Sequence, residues 1–256
     1  MEKRLTKFIP FLLLSLAVSA VNVKAQEEKK EIPYKNVIRY NLSGPLLTGF
    51  GRYIVFGYER IVNQNQSFSL NAGPIALAKS LRENVSTEDF TFRNDPKSTG
   101  FNVSLDYRFY LPKENKYGPP RGLYIGPYIS YNQFNRESVW SNDSTTSSDK
   151  SLTTKLNIKI FTMGAELGYQ LVLWKRFAID FLMVGPGIGN YSIDLKTQGN
   201  LTDEEKKKLG EAVKQVVSEK LPGFSYVLSN KYFNTEGKIR TWTIGYRYII
   251  HLGFLF

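Results

Sequence analysis

Cysteine is absent from all 256 residues, and histidine occurs once, at His251. Without a thiol the chain holds no disulfide, no cysteine-linked lipid and no thiolate metal site. With one imidazole it shows no metal-ligand cluster, and it carries neither a phosphate-binding glycine loop nor a nucleophile motif. Long apolar runs are also missing. Past the first 25 residues nothing approaches the roughly 18 consecutive apolar residues of a membrane-spanning helix. A membrane form would have to be a closed barrel, which satisfies every backbone polar group in lipid. Acidic residues are scarce, 23 against 34 Lys and Arg, for a formal charge of +11. That excess is dispersed and lacks a recognition motif, so it points to lipid phosphates or plain solvation and away from nucleic acid.

What is abundant is aromatic and small: 17 Phe, 16 Tyr and 20 Gly, a composition suited to strands and turns. The N-terminus reads as a secretory signal. Lys3, Arg4 and Lys7 precede an apolar stretch from Phe8 to Val18, and Val23-Lys24-Ala25 offers a cleavage site after residue 25. Residues 26–34 are charged and short, a lead-in to a single domain at 35–256.

That domain shows period-two alternation in eight stretches, the mark of strands whose two faces meet unlike surroundings. They lie at about 35–43, 51–62, 67–77, 101–111, 123–134, 155–174, 177–196 and 238–256. Phe101, Val103, Leu105, Tyr107 and Phe109, for example, alternate with Asn102, Ser104, Asp106 and Arg108. In the sixth stretch the apolar phase changes near Ile160-Phe161, which predicts a β-bulge or a strand leaving the membrane there. Residues 78–98 and 136–154 read as loops. The last connection is the longest, and Leu209, Val213, Val216 and Val217 recur in it at helical spacing over 202–220.

The final strand resembles the C-terminal assembly signal of outer-membrane barrels. Tyr248, Ile250, Leu252, Phe254 and Phe256 share one face and the chain stops on Phe256. Across its mature length the chain is similar to small eight-stranded outer-membrane barrels of the OmpA/OmpX/OmpW type. It also resembles an uncharacterised Gram-negative family through the segment from Tyr110 to Tyr128, which includes Tyr110-Leu-Pro-Lys113 and Pro120-Arg-Gly-Leu-Tyr-Ile-Gly-Pro-Tyr128. The resemblance implies an all-β, eight-stranded antiparallel up-and-down transmembrane β-barrel in the outer membrane. One helix sits in the last extracellular loop and both termini lie in the periplasm. It further implies outer-membrane lipids or lipopolysaccharide and the barrel-assembly machinery as partners, a monomer, and no cofactor.

On this reading the polar face is interior and carries Arg39, Glu59, Asp106, Arg108, Glu166, Asp180 and Arg247. Unpaired burial of such groups is costly, so they are expected to form one ion-pair network. Lys206, Lys207 and Lys208 on the helix are candidates for lipid phosphates. The expected role is structural or surface-interacting, with a largely closed interior. A narrow channel for ions or small solutes is the first alternative, and a soluble lipocalin-like binder, apolar face inward, the second. Catalysis is not expected. The His-x-Ser arrangement of outer-membrane lipid A deacylases fails at His251, which is followed by Leu252 and Gly253.

Overall fold

The computed structural model describes residues 33–77, 90–92, 97–142, 151–198, 202–220, 224–228, 231, 233 and 237–256. The secretory signal and most of the lead-in lie outside these residues. Nine strands form one sheet: β1 (Asn36–Asn41), β2 (Phe56–Asn63), β3 (Gln66–Pro74), β4 (Phe90–Phe92), β5 (Lys97–Tyr110), β6 (Gly122–Asn142), β7 (Ser151–Leu173), β8 (Phe177–Gln198) and β9 (Lys238–Leu255). All but β4 pair antiparallel with their neighbours in chain order, and β1 pairs with β9, closing an eight-stranded up-and-down ring. The short β4 is appended at the end of β6 (Phe90↔Asn142). Helix α1 (Ser43–Thr48) follows β1, while α2 (Asp203–Lys220) and α3 (Phe224–Val227) lie between β8 and β9.

The ring is lopsided. β1, β2 and β3 have 6, 8 and 9 residues, whereas β6, β7 and β8 have 21 to 23. The seam between β1 and β9 is correspondingly short, running from Val37↔Leu255 to Asn41↔His251. Above it the first strand, expected to reach Ser43, gives way to α1. Pro45 stops further strand pairing because it has no N–H, and it fits the first turn of a helix for the same reason. The seam is finished by Leu42 N–H donating to Ile250 O at 2.8 Å and Ile250 N–H donating to Ser43 Oγ at 2.7 Å. The second strand begins at Phe56, later than the expected Gly51, with Tyr53 bridging to Ile75 ahead of it.

Two other expectations need correction, and of the two readings of the phase change at Ile160-Phe161 the bulge fails. Within 136–154 the described residues are strand: β6 runs on to Asn142 and β7 starts at Ser151, paired continuously from Gly122↔Gln170 to Ser141↔Ser151, with 143–150 outside the described residues. The segment at 78–98 contains β4 and the start of β5, its other residues lying outside those described. No bulge occurs at Ile160-Phe161, where pairing on both sides of β7 is unbroken. What changes there is the surroundings. Leu156 and Ile158 stay on the inner face, but that face now packs on α2, while the outer face, with Lys155 and Lys159, turns polar. A register shift does occur in β8, where an extra residue near Met183 moves the buried set from Ala178, Asp180 and Leu182 to Tyr191, Ile193 and Leu195.

The distribution of apolar side chains is the reverse of a water-soluble domain. Ile38, Phe56, Leu70, Phe101, Val103, Leu105, Ile125, Ile129, Met163, Ile188, Ile244 and Leu252 are exposed around the outside. Tyr58, Tyr169 and Trp242 stand near the strand ends of this belt. The two apolar cores sit at the ends of the lumen. Val37, Val172, Ala178 and Leu255, with Tyr34 against them, fill the end where β1 begins and β9 finishes. At the opposite end Leu209, Val213 and Val217 of α2, with Phe224 and Val227 of α3, pack on Leu156, Ile158, Ile193 and Ile239 of the tall wall. Val216 lies outside the side chains described. No described helix is long and apolar enough to cross a membrane.

Candidate functional site: the charged barrel interior

Strand alternation alone sends charged side chains inward from six different strands. Arg39 comes from β1, Glu59 from β2, Asp106 and Arg108 from β5, Glu166 from β7, Asp180 from β8 and Arg247 from β9. The structure brings all seven into one cluster between the two apolar ends of the lumen. Six of them are 0–2% exposed, and the Arg247 side chain is 11% exposed.

Two guanidinium groups organise the cluster. Arg39 donates through Nη1 to Asp180 Oδ2 at 3.2 Å, through Nη2 to Asp106 Oδ2 at 3.0 Å and through Nε to Asn71 Oδ1 at 3.1 Å. Arg108 donates through Nη2 to Asp180 Oδ2 at 2.8 Å and through Nη1 to Gln170 Oε1 at 3.0 Å. Its Nη1 also lies 3.5 Å from Glu59 Oε2, and its Nε lies 3.7 Å from Glu166 Oε1. Arg247 bridges Asp106 and Glu166 through Nη2. Four carboxylates thus face three guanidinium groups, with His251 Nδ1 a further 3.2 Å from Asp180 Oδ2.

Neutral groups complete the set. Tyr124 donates to Asp180 Oδ1 at 2.7 Å, Tyr110 to Glu59 Oε1 at 2.9 Å and Ser67 to the same oxygen at 2.6 Å. The Arg108 guanidinium stacks 4.2 Å from the Tyr124 ring centre and that of Arg247 4.1 Å from the Tyr128 ring centre. Alternation in the sequence puts Tyr124, Tyr128, Ser69, Asn71 and Gln170 on the polar face but assigns none of them a partner. The only signal for them is their alternation with outward-facing residues on the same strands.

The other sequence-named residues lie apart from this cluster. Tyr248, Ile250, Leu252, Phe254 and Phe256 share the outward side of β9. Lys206, Lys207 and Lys208 are exposed at the start of α2, Lys206 paired to Asp203 at 3.2 Å. Among the described residues no three His, Asp or Glu side chains are grouped to hold a metal ion.

The chain is similar to known sequences and structures. Residues 74–217, 144 of the 256, match a family described as a protein of unknown function (DUF3575). The chain belongs to that family. The matched region runs from the end of β3 through most of α2, so it includes Asp106, Arg108, Glu166 and Asp180 but not Arg39, Glu59 or Arg247. Among solved structures, the chain is similar to Acinetobacter baumannii CarO at 15% identity, covering 88% of this chain and 98% of that one with a TM-score of 0.39. It is similar also to a major outer membrane protein from Thermus thermophilus at 10% identity, covering 88% and 100%, with a TM-score of 0.33. No curated protein matches the chain.

Proposed function

We propose that the protein is a monomeric, integral outer-membrane β-barrel with a closed interior and a structural or surface-interacting role. One observation carries the reading: apolar side chains ring the outside while Arg39, Arg108 and their carboxylates are buried within. A lipocalin-like binder would reverse both faces. In lipid the belt is solvated, and the closed ring leaves most backbone polar groups paired. Closure of the lumen is supported by the stacking of its contents. Arg39 and Arg108 reach across it, Val37, Val172, Ala178 and Leu255 lie below them, and α2 caps the tall wall above. An eight-stranded barrel is only wide enough for side chains to fill.

Both ends of the barrel meet at one rim, where Asn36 N–H donates to Phe256 O at 3.2 Å. We assign that rim to the periplasm and the tall wall with its helical cap to the cell exterior. The outward side of β9 then serves as the segment that the barrel-assembly machinery reads. The test is fractionation followed by gel electrophoresis with and without boiling. The protein is expected in the outer-membrane fraction, migrating faster when unboiled because the folded barrel resists detergent. A protein found free in the periplasm, with identical migration in both lanes, contradicts the proposal.

A further inference from the structure

The tall wall has an outer face as well as an inner one, and its charge is unbalanced. On neighbouring strands Lys97, Glu137, Lys155 and Lys196 stand opposite one another in a single rung across β5, β6, β7 and β8. Lys155 and Lys196 are thus directly cross-strand partners, an arrangement that repels. Lys159 lies two rungs nearer the apolar belt on the same outward side of β7. All four lysines are exposed, and none makes an ion pair with a described carboxylate. Together with Glu137 and Asp194 they line an open hollow of about 430 Å³. Four ammonium groups face two carboxylates there, so the hollow is net positive.

Its height decides what it meets. The next outward residue on β7 after Lys159 is Phe161, followed by the exposed Met163, and across the sheet Met163 pairs with Ile188 and Ile188 with Ile244 of the belt. The lysines therefore begin one outward position above the apolar belt, the level at which lipid headgroups lie. The helix lysines are placed differently. α2 packs on the inner face of the wall through Leu209, Val213 and Val217, so Lys206–Lys208 belong to an element on the other side of the wall from Lys155 and Lys196.

We infer that the outward face formed by Lys97, Lys155, Lys159 and Lys196 docks the phosphate groups of outer-leaflet glycolipid headgroups. The inference rests on the outer-membrane reading above. A headgroup phosphate relieves the repulsion between Lys155 and Lys196, and its acyl chains continue down the belt past Phe161 and Met163. Glu137, the other cross-strand partner of Lys155, offsets that repulsion only in part, being one carboxylate among the three lysines of the rung.

The test uses the full purified protein in detergent, titrated with lipopolysaccharide and with the same lipopolysaccharide after enzymatic removal of its phosphates. The variant Lys155→Gln/Lys159→Gln/Lys196→Gln is compared with Lys206→Gln/Lys207→Gln as a control on the helix. At roughly fivefold per surface cation, the triple variant is expected to bind about a hundredfold more weakly. The helix control should bind like the wild type, and the dephosphorylated ligand should bind wild type as weakly as the triple variant binds the intact one. Faster migration without boiling confirms that each variant still folds, which separates this result from failure of the barrel reading. Equal binding by the triple variant, binding indifferent to phosphate removal, or full competition by millimolar inorganic phosphate each overturn the inference, the last by identifying a free-anion site.

Discussion

Asp180→Ala destabilises the folded barrel by about 3–5 kcal/mol, the scale for removing one partner from a buried ion cluster. Asp180 accepts hydrogen bonds from Arg39, Arg108 and Tyr124 and faces His251, so its loss strips a carboxylate from two buried guanidinium groups at once. Neither guanidinium can turn to water, since both side chains are 0–1% exposed. The remaining acids stand 3.5–3.8 Å from Arg108 and are held elsewhere: Asp106 and Glu166 are bridged by Arg247, and Glu59 Oε1 accepts from Tyr110 and Ser67. The loss appears as a lower midpoint in urea unfolding of the vesicle-inserted protein, followed by tryptophan fluorescence. Arg108→Met combined with Asp180→Leu should cost less than the sum of the two single changes, because a buried pair removed together leaves no orphan charge. Strict additivity would mean that the two residues do not act as one network.

Gly126→Ala is the second large effect, about 3 kcal/mol, with Gly126→Val failing to fold. At Gly126 a methyl group would overlap the carbonyl oxygen of Tyr107, an atom fixed in the neighbouring strand. Here the β5–β6 ladder is already interrupted, passing from Asp106↔Tyr128 to Phe109↔Ile125. Pro127 comes next in the chain and supplies no N–H. The strands approach closely at this point because nothing stands between them, and a side chain would push Arg108, on the facing strand, out of its position against Tyr124. The valine variant should show no fast-migrating band when unboiled. A full-strength fast band from Gly126→Val would show that the close approach of β5 and β6 is not needed.

How far the sequence revealed this arrangement depends on what period-two alternation can report. It identifies a change of face only through a change of chemistry. Along β5 the surroundings are uniform, so Phe101 to Phe109 and Asn102 to Arg108 sort cleanly and the inward charges are legible. Along β7 the surroundings invert: above the belt the inside is the apolar underside of α2 and the outside is polar, with Lys155 and Lys159 exposed. Leu156 and Ile158 therefore mimic a register slip that the backbone does not make. The slip that does occur, beside Met183 in β8, is masked because Leu182, Met183 and Val184 are all apolar and carry no phase. Helix α1 was hidden for a related reason, since Gly44-Pro45 announces the end of a strand without specifying that a helix succeeds it. The hydroxyl and amide partners of the cluster, Ser67, Ser69, Asn71 and Gln170, could be placed on the polar face but not assigned to a partner. Which charges they meet depends on strand stagger around the ring.

The central claim is that the barrel holds a closed, ion-paired interior in a membrane, and single-channel recording of the purified protein in a planar bilayer tests it most directly. With Arg39 and Arg108 locked across the lumen and apolar residues packed at both ends, the wild-type protein is expected to show no stable open state over a range of voltages. Reproducible unitary conductance steps from the folded, fast-migrating protein would contradict the closed interior.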